Sequence, residues 1–219
     1  MQRGTQAIGN LRVMTQPRAK RPSWTELPPS DWAERQAHRI ALEINRLRGS
    51  RSAQWLADRT RELGYEVSRS VISDLENGRR RYVTTAELIT LAAALNTSPV
   101  VLVYPGPYQN KVEILPGRHA GEFNAAEWFS GTYSYLGNDE PGPAEDPAEQ
   151  WRANTETLHQ WRHLDELMAT RDEMDNPEHI AVLNRQIKAI CERLRITIPT
   201  DEVALHGVNE KPTDEADYA

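Results

Sequence analysis

A mainly α-helical chain is what these 219 residues predict, and three observations carry the prediction. Apolar residues recur at spacings of three and four from Trp32 to Val103 and again from Trp151 to Leu194, the period of a helix that buries one face. Residues that start and stop helices punctuate those runs: Ser52, Ser68, Thr84 and Ser98 open segments, and Gly49, Gly64 and Gly78 close them. Only one short run, Lys111 to Leu115 (KVEIL), reads as a strand.

Taken in order, the first helix runs from Ser30 or Asp31 to Gly49, with Trp32, Ala33, Ala37, Ile40, Ala41, Ile44 and Leu47 on its apolar side. The second opens at Ser52, turns Ala53, Trp55, Leu56 and Thr60 inward and stops at Gly64; Tyr65-Glu66-Val67 is long enough only for a turn. The third, Ser68 to Gly78, buries Val71, Ile72 and Leu75 and leaves Arg69, Ser70, Ser73, Asp74 and Asn77 outside. Thr84-x-x-Glu87 is a capping box opening a fourth helix, and its run Leu88, Ile89, Leu91, Ala92, Leu95 suits a central position. Ser98-Pro99 opens a short fifth helix, since proline fits the first helical turn.

After Tyr104-Pro105-Gly106-Pro107 come the KVEIL strand and a single helix that Asn124 would cap, carrying Ala125, Ala126, Trp128 and Phe129. A helical hairpin follows. Trp151, Leu158, Trp161, Leu164, Leu167 and Met168 share one side of a helix from about Ala148, Asp175-Asn176-Pro177 breaks it, and Ile180, Leu183, Ile187, Ile190 and Leu194 form a narrow seam on the next. The tryptophans of these two segments read as core. The expected division is a flexible basic arm (1–29), a five-helix domain (30–105), an extension (106–136), a proline-rich acidic linker (137–147), the hairpin (148–198) and a disordered acidic tail (199–219).

Charge divides the chain in the same place. The net charge is −6, but residues 1–82 hold 16 Lys/Arg against 9 Asp/Glu while residues 101–219 hold 10 against 22. A basic half is the footprint of phosphate binding, and an acidic half suits a protein partner or solubility. No run approaches a membrane span and no apolar leader opens the sequence, so a cytoplasmic location with no membrane partner is expected. The single cysteine, Cys191, rules out an intrachain disulfide framework. Enzyme signatures are missing: no glycine-rich phosphate loop, no His-Glu-x-x-His, no nucleophile elbow. His159 and His163 stand four apart but lack a third ligand, so neither a metal, another cofactor nor catalysis is expected.

Five helices in about 75 residues, the second and third joined by a tight turn, is the layout in which one helix lies across a DNA backbone and the next enters the major groove. Such a helix inserts by its first turn, which makes Arg69, Ser70, Ser73 and Asn77 the base-facing candidates. The triple arginine Arg79-Arg80-Arg81 at its far end sits where phosphates pass. Glu76 is expected to pair with Arg79 or Arg80 within the protein.

Leu56-Ala57, Ile72 and Glu76-Asn77-Gly78 followed by the three arginines resemble the DNA-binding domain of the Cro and phage-repressor type, also called the xenobiotic-response-element family. The resemblance covers about residues 31–104, and the stretch from Lys111 to Gly131 looks like the extension of actinobacterial or actinophage members. It implies base contacts from Arg69 and Ser70 and a phosphate contact from Gln54, which braces the first of them. Ser68, Arg79, Arg80 and Arg81 join the phosphate set. Ala57 to Gly78 is about five residues longer than the family pattern.

The expected function is thus a sequence-specific DNA-binding transcriptional regulator, a repressor acting as a homodimer on double-stranded DNA. Pairing is assigned to the hairpin through Leu158, Trp161, Ile180, Leu183, Ile187, Ile190 and Leu194. The alternative is a protein-interaction module, an antitoxin or adaptor, in which the acidic half binds a second protein and the DNA-binding domain is secondary.

Overall fold

The computed structural model describes residues 22–134 and 147–197, and the proposed linker, acidic tail and most of the basic arm lie outside them. Eight helices and one two-stranded sheet occupy the described residues, so the chain is mainly helical as its periodicity predicts. Two compact units divide it, residues 1–126 and 127–219.

In the first unit, α1 (Trp32–Arg48), α2 (Ala53–Glu62), α3 (Arg69–Asn77), α4 (Thr85–Ala94) and α5 (Pro99–Val103) pack around Ile44, Leu56, Ile72, Leu75, Leu91 and Leu102, all essentially sealed from water. Burying a side chain of this size contributes about 1.5–3 kcal/mol, which is why the apolar face of each helix decides its orientation. Local chemistry decides the boundaries. The side chains of Asp31, Ser52, Ser68, Thr84 and Ser98 each accept from a backbone N–H in the first turn of the helix they open. At Thr84 the bond is reciprocated by Glu87.

The strands β1 (Lys111–Leu115) and β2 (Arg118–Gly121) form an antiparallel hairpin with a register shift between Glu113 and Leu115. The Glu113 carbonyl accepts from Trp32 Nε1 (3.2 Å) and Gln36 Nε2 (3.0 Å), so the hairpin docks along α1. Helix α6 (Glu122–Phe129) begins two residues before Asn124, which therefore lies inside the helix and not at its cap. The Glu122 carboxylate at the start of α6 accepts from Gly106 N–H at 3.0 Å.

Part of the stretch assigned to the basic arm is ordered. Residues 22–30 lie against the first unit, anchored by Trp24, which is only 8% exposed.

In the second unit, α7 (Pro147–Asp172) and α8 (Pro177–Leu194) form the expected hairpin, with Asn176 capping α8 through bonds from Glu178 and His179 N–H. Leu164, Leu167 and Met168 bury against Ile190, with Leu183, Ile187, Cys191 and Leu194 packed around them. Leu183, Ile187, Ile190 and Leu194 of the α8 seam thus pack within the chain. Of the residues assigned to pairing, Leu158 (44% exposed) and Trp161 (38%) remain open to solvent, so Trp161, like Phe129 (47%), is not core. Ile180 is half-buried. Residues 130–132 rest on α7, where the Arg162 guanidinium donates to the Ser130 carbonyl and to Thr132 Oγ1.

Candidate nucleic-acid interface

Helix α3 is held at its start, its middle and its end. Before it, the wholly buried Thr60 hydroxyl donates to the Ala57 carbonyl (2.8 Å) and accepts from Val67 N–H (2.9 Å), tying α2 to the residue that precedes Ser68. Its middle buries Ile72 and Leu75, beside α1 and α2.

At its end, Trp24 N–H donates to the Asn77 carbonyl (3.1 Å) and the Trp24 indole to the Leu75 carbonyl (3.0 Å). These are carbonyls that a helix C-terminus leaves without an intrahelical partner. Gly78 is required there on two counts: its φ is +80°, and a Cβ would come within 2.6 Å of the Trp24 ring.

What this clamped helix presents is its first turn. Ser68 caps it, no acidic residue sits in it, and the positive end of the helix dipole is left unopposed. Arg69 and Ser70 are exposed, as the sequence predicts. Arg69 makes no hydrogen bond or ion pair to any described residue, and Ser70 only shares a hydroxyl contact with Ser68 at 2.9 Å.

Both border an open depression of about 660 Å³. Its walls are Gln54 and Arg61 of α2, Glu66 and Ser68 of the connection, Ser73 and Asp74 of α3, and Arg79 beyond it. Gln54 is exposed and bonded to Asp58 at 2.9 Å. Asn77 is exposed too, but its amide donates to the Ser73 carbonyl on its own helix at 2.7 Å and it does not line the depression.

The three arginines after Gly78 separate. Arg79 is exposed and weakly paired with Asp74 at 3.4 Å. Arg80 is drawn onto Glu87 in a two-pronged pair (2.5 and 3.0 Å) and stacks on Tyr82, leaving 15% of its side chain exposed. Arg81 is buried, with 2% of its side chain exposed. It donates to Glu34 (2.9 Å) and to the carbonyls of Gly78, Pro22 and Leu27, and stacks on Trp24.

Burial removes Arg81 from the phosphate-binding set, and pairing withdraws Arg80. Both act as struts for the end of α3. Nor does Glu76 meet Arg79 or Arg80: it forms a two-pronged, mostly buried pair with Arg48 at the end of α1 (2.8 and 2.9 Å).

Two participants are absent from the sequence reading. Trp24 was assigned to the arm, although a lone tryptophan in a polar stretch was the signal available. Arg61 lies seven residues after Gln54, two helical turns along one face, which is the spacing that brings both to the same depression. Its guanidinium meets Asp58 (2.8 Å) and Glu66 (2.8 and 3.2 Å). Arg61 holds the Glu66 carboxyl below the ordinary carboxylate range. The length from Ala57 to Gly78 is taken up by the second half of α2, the 63–68 connection and α3.

A helix-turn-helix family profile matches residues 57–102, from within α2 into α5. The match supports DNA binding and a regulatory role for this segment. No curated protein and no solved structure matches the chain.

Proposed function

We propose that the chain is a sequence-specific transcriptional repressor that binds a near-palindromic operator as a homodimer in the cytoplasm. The observation that carries this reading is the first turn of α3: an uncommitted guanidinium and a hydroxyl project from a capped, acid-free helix start clamped from behind.

In a major groove, Arg69 offers two parallel donors to guanine O6 and N7, while Ser70 and Ser73 reach neighbouring base edges. Gln54, Ser68 and Arg79 face the flanking phosphates, which set register without reading sequence. One such domain gains too little from a half-site to outcompete non-specific DNA. Two of them, on half-sites one helical turn or about 34–36 Å apart, add their contacts. Pairing falls to the solvent-facing Leu158 and Trp161 on α7, since α8 spends its seam on its own hairpin. Repression then follows by occluding polymerase.

No helix among the described residues is long and apolar enough to cross a membrane.

The test begins by selecting bound duplexes from a randomised library, then measuring Arg69→Ala against every single-base variant of the selected site. The expected result is loss of about 1–3 kcal/mol of discrimination at one base pair, with the other positions still read. Uniform weakening across all variants would make Arg69 a phosphate clamp and end the base-reading assignment.

A further inference from the structure

The depression in front of α3 contains three arginines and two carboxylates, and one of those arginines has no place in the contacts assigned above. Arg61 is held by Asp58 on its own helix and by Glu66 across the turn, in pairs whose side chains are 45–53% exposed. Ion pairs this open to water hold little and exchange readily for a stronger partner. A phosphate is one, because its oxygens match the guanidinium fork in two parallel bonds.

We propose that Arg61 is a further DNA-phosphate contact, held in the unbound protein by Asp58 and Glu66 and transferred from them to the backbone when DNA binds. The inference rests on the DNA-binding reading of the α3 face. Arg61 and Gln54 share one face of α2 at the rim of the depression that Arg69 and Ser70 border, so a duplex seated on α3 brings its phosphates past both. Glu66 is then a built-in competitor. Breaking its pair with Arg61 on transfer has a cost, which lowers affinity for every sequence alike and leaves base selection to α3.

The test uses the full chain and a labelled duplex carrying the selected site, with affinity measured across a salt series for wild type, Arg61→Ala, Arg61→Lys, Glu66→Gln and the Arg61→Ala/Glu66→Gln pair. Arg61→Ala is expected to weaken all duplexes about 5- to 20-fold at low salt and to reduce the log–log salt slope by close to one, with the base preference unchanged. Arg61→Lys restores most of that slope. Glu66→Gln tightens binding several-fold, and most of the gain disappears when Arg61 is also alanine.

An unchanged slope in Arg61→Ala overturns the proposal, as does a Glu66→Gln gain that persists undiminished without Arg61, which would be a diffuse charge effect. Either result leaves the reading of α3 intact. A wild-type chain that ignores every duplex at low salt overturns both together.

Discussion

Side chains of one chemical type serve three purposes within three consecutive positions. Arg79 faces water, Arg80 is pinned to Glu87 and Arg81 is enclosed among Glu34, Trp24 and three carbonyls. Their substitutions should therefore part company. Arg79→Ala should cut the salt slope of DNA binding by close to one and leave unfolding unchanged. Arg81→Ala should remove the buried strut that joins Glu34, Trp24 and three carbonyls and so lower the midpoint of urea denaturation, while the slope of the folded fraction stays as it was. Equal loss of slope in both would mean that Arg81 reaches the backbone after all. Nothing in the run Arg79-Arg80-Arg81 distinguishes its members, because the partners that separate them, Glu34 and Trp24, stand 47 and 57 positions away.

Each of α1 to α5 carries its own start signal, and these are legible because a cap acts within three or four residues. Thr84 and Glu87 show the pattern, and Asp31, Ser52, Ser68 and Ser98 repeat its accepting half. Legibility fails where an element is secured from a distance. The Arg48–Glu76 pair joins α1 to α3 across 28 residues, and Trp24 reaches Leu75 across 51. The seam of α8 is legible as a seam and packs on α7 within the chain, and spacing alone cannot tell a neighbouring helix from a second chain.

Glu87 ties the cap of α4 to Arg80, with a consequence for acid stability. Burial would push its carboxyl up, but the Arg80 guanidinium and the Thr84 N–H and hydroxyl outweigh this and hold it below its usual 4.5. A carboxyl depressed in the folded state adds stability that is complete above 4.5 and is lost as pH falls through the folded value. Glu87→Gln should consequently lower the urea midpoint most at neutral pH, and the gap to wild type should narrow below pH 4.5. A gap that stays constant with pH would show that the charge of Glu87 contributes nothing.

At the scale of the whole molecule, charge separates the tasks proposed for the two units: the basic arginines of the first face a polyanion, and the acidic second carries the apolar residues left for association. Leu158 and Trp161 lie three apart on α7, so they share a face, and neither belongs to the cluster around Leu164 and Ile190. Leu158→Asp with Trp161→Asp should convert a dimer to a monomer in sedimentation, weaken operator binding at least tenfold and leave the helical content unchanged. A wild-type chain that sediments as a monomer at micromolar concentration would turn the argument toward a different protein as the occupant of that face.

The reading helix is gripped at both extremities, by the Thr60–Val67 tie in front and by the Trp24 indole behind. A rod fixed at two points cannot pivot, so the bearing of Arg69 is inherited from Thr60, Val67 and Trp24. Loosening either grip would blur the choice of operator before it weakened adhesion to DNA. On the proposed function, fidelity is thus stored in the mounting of α3 as much as in its tip.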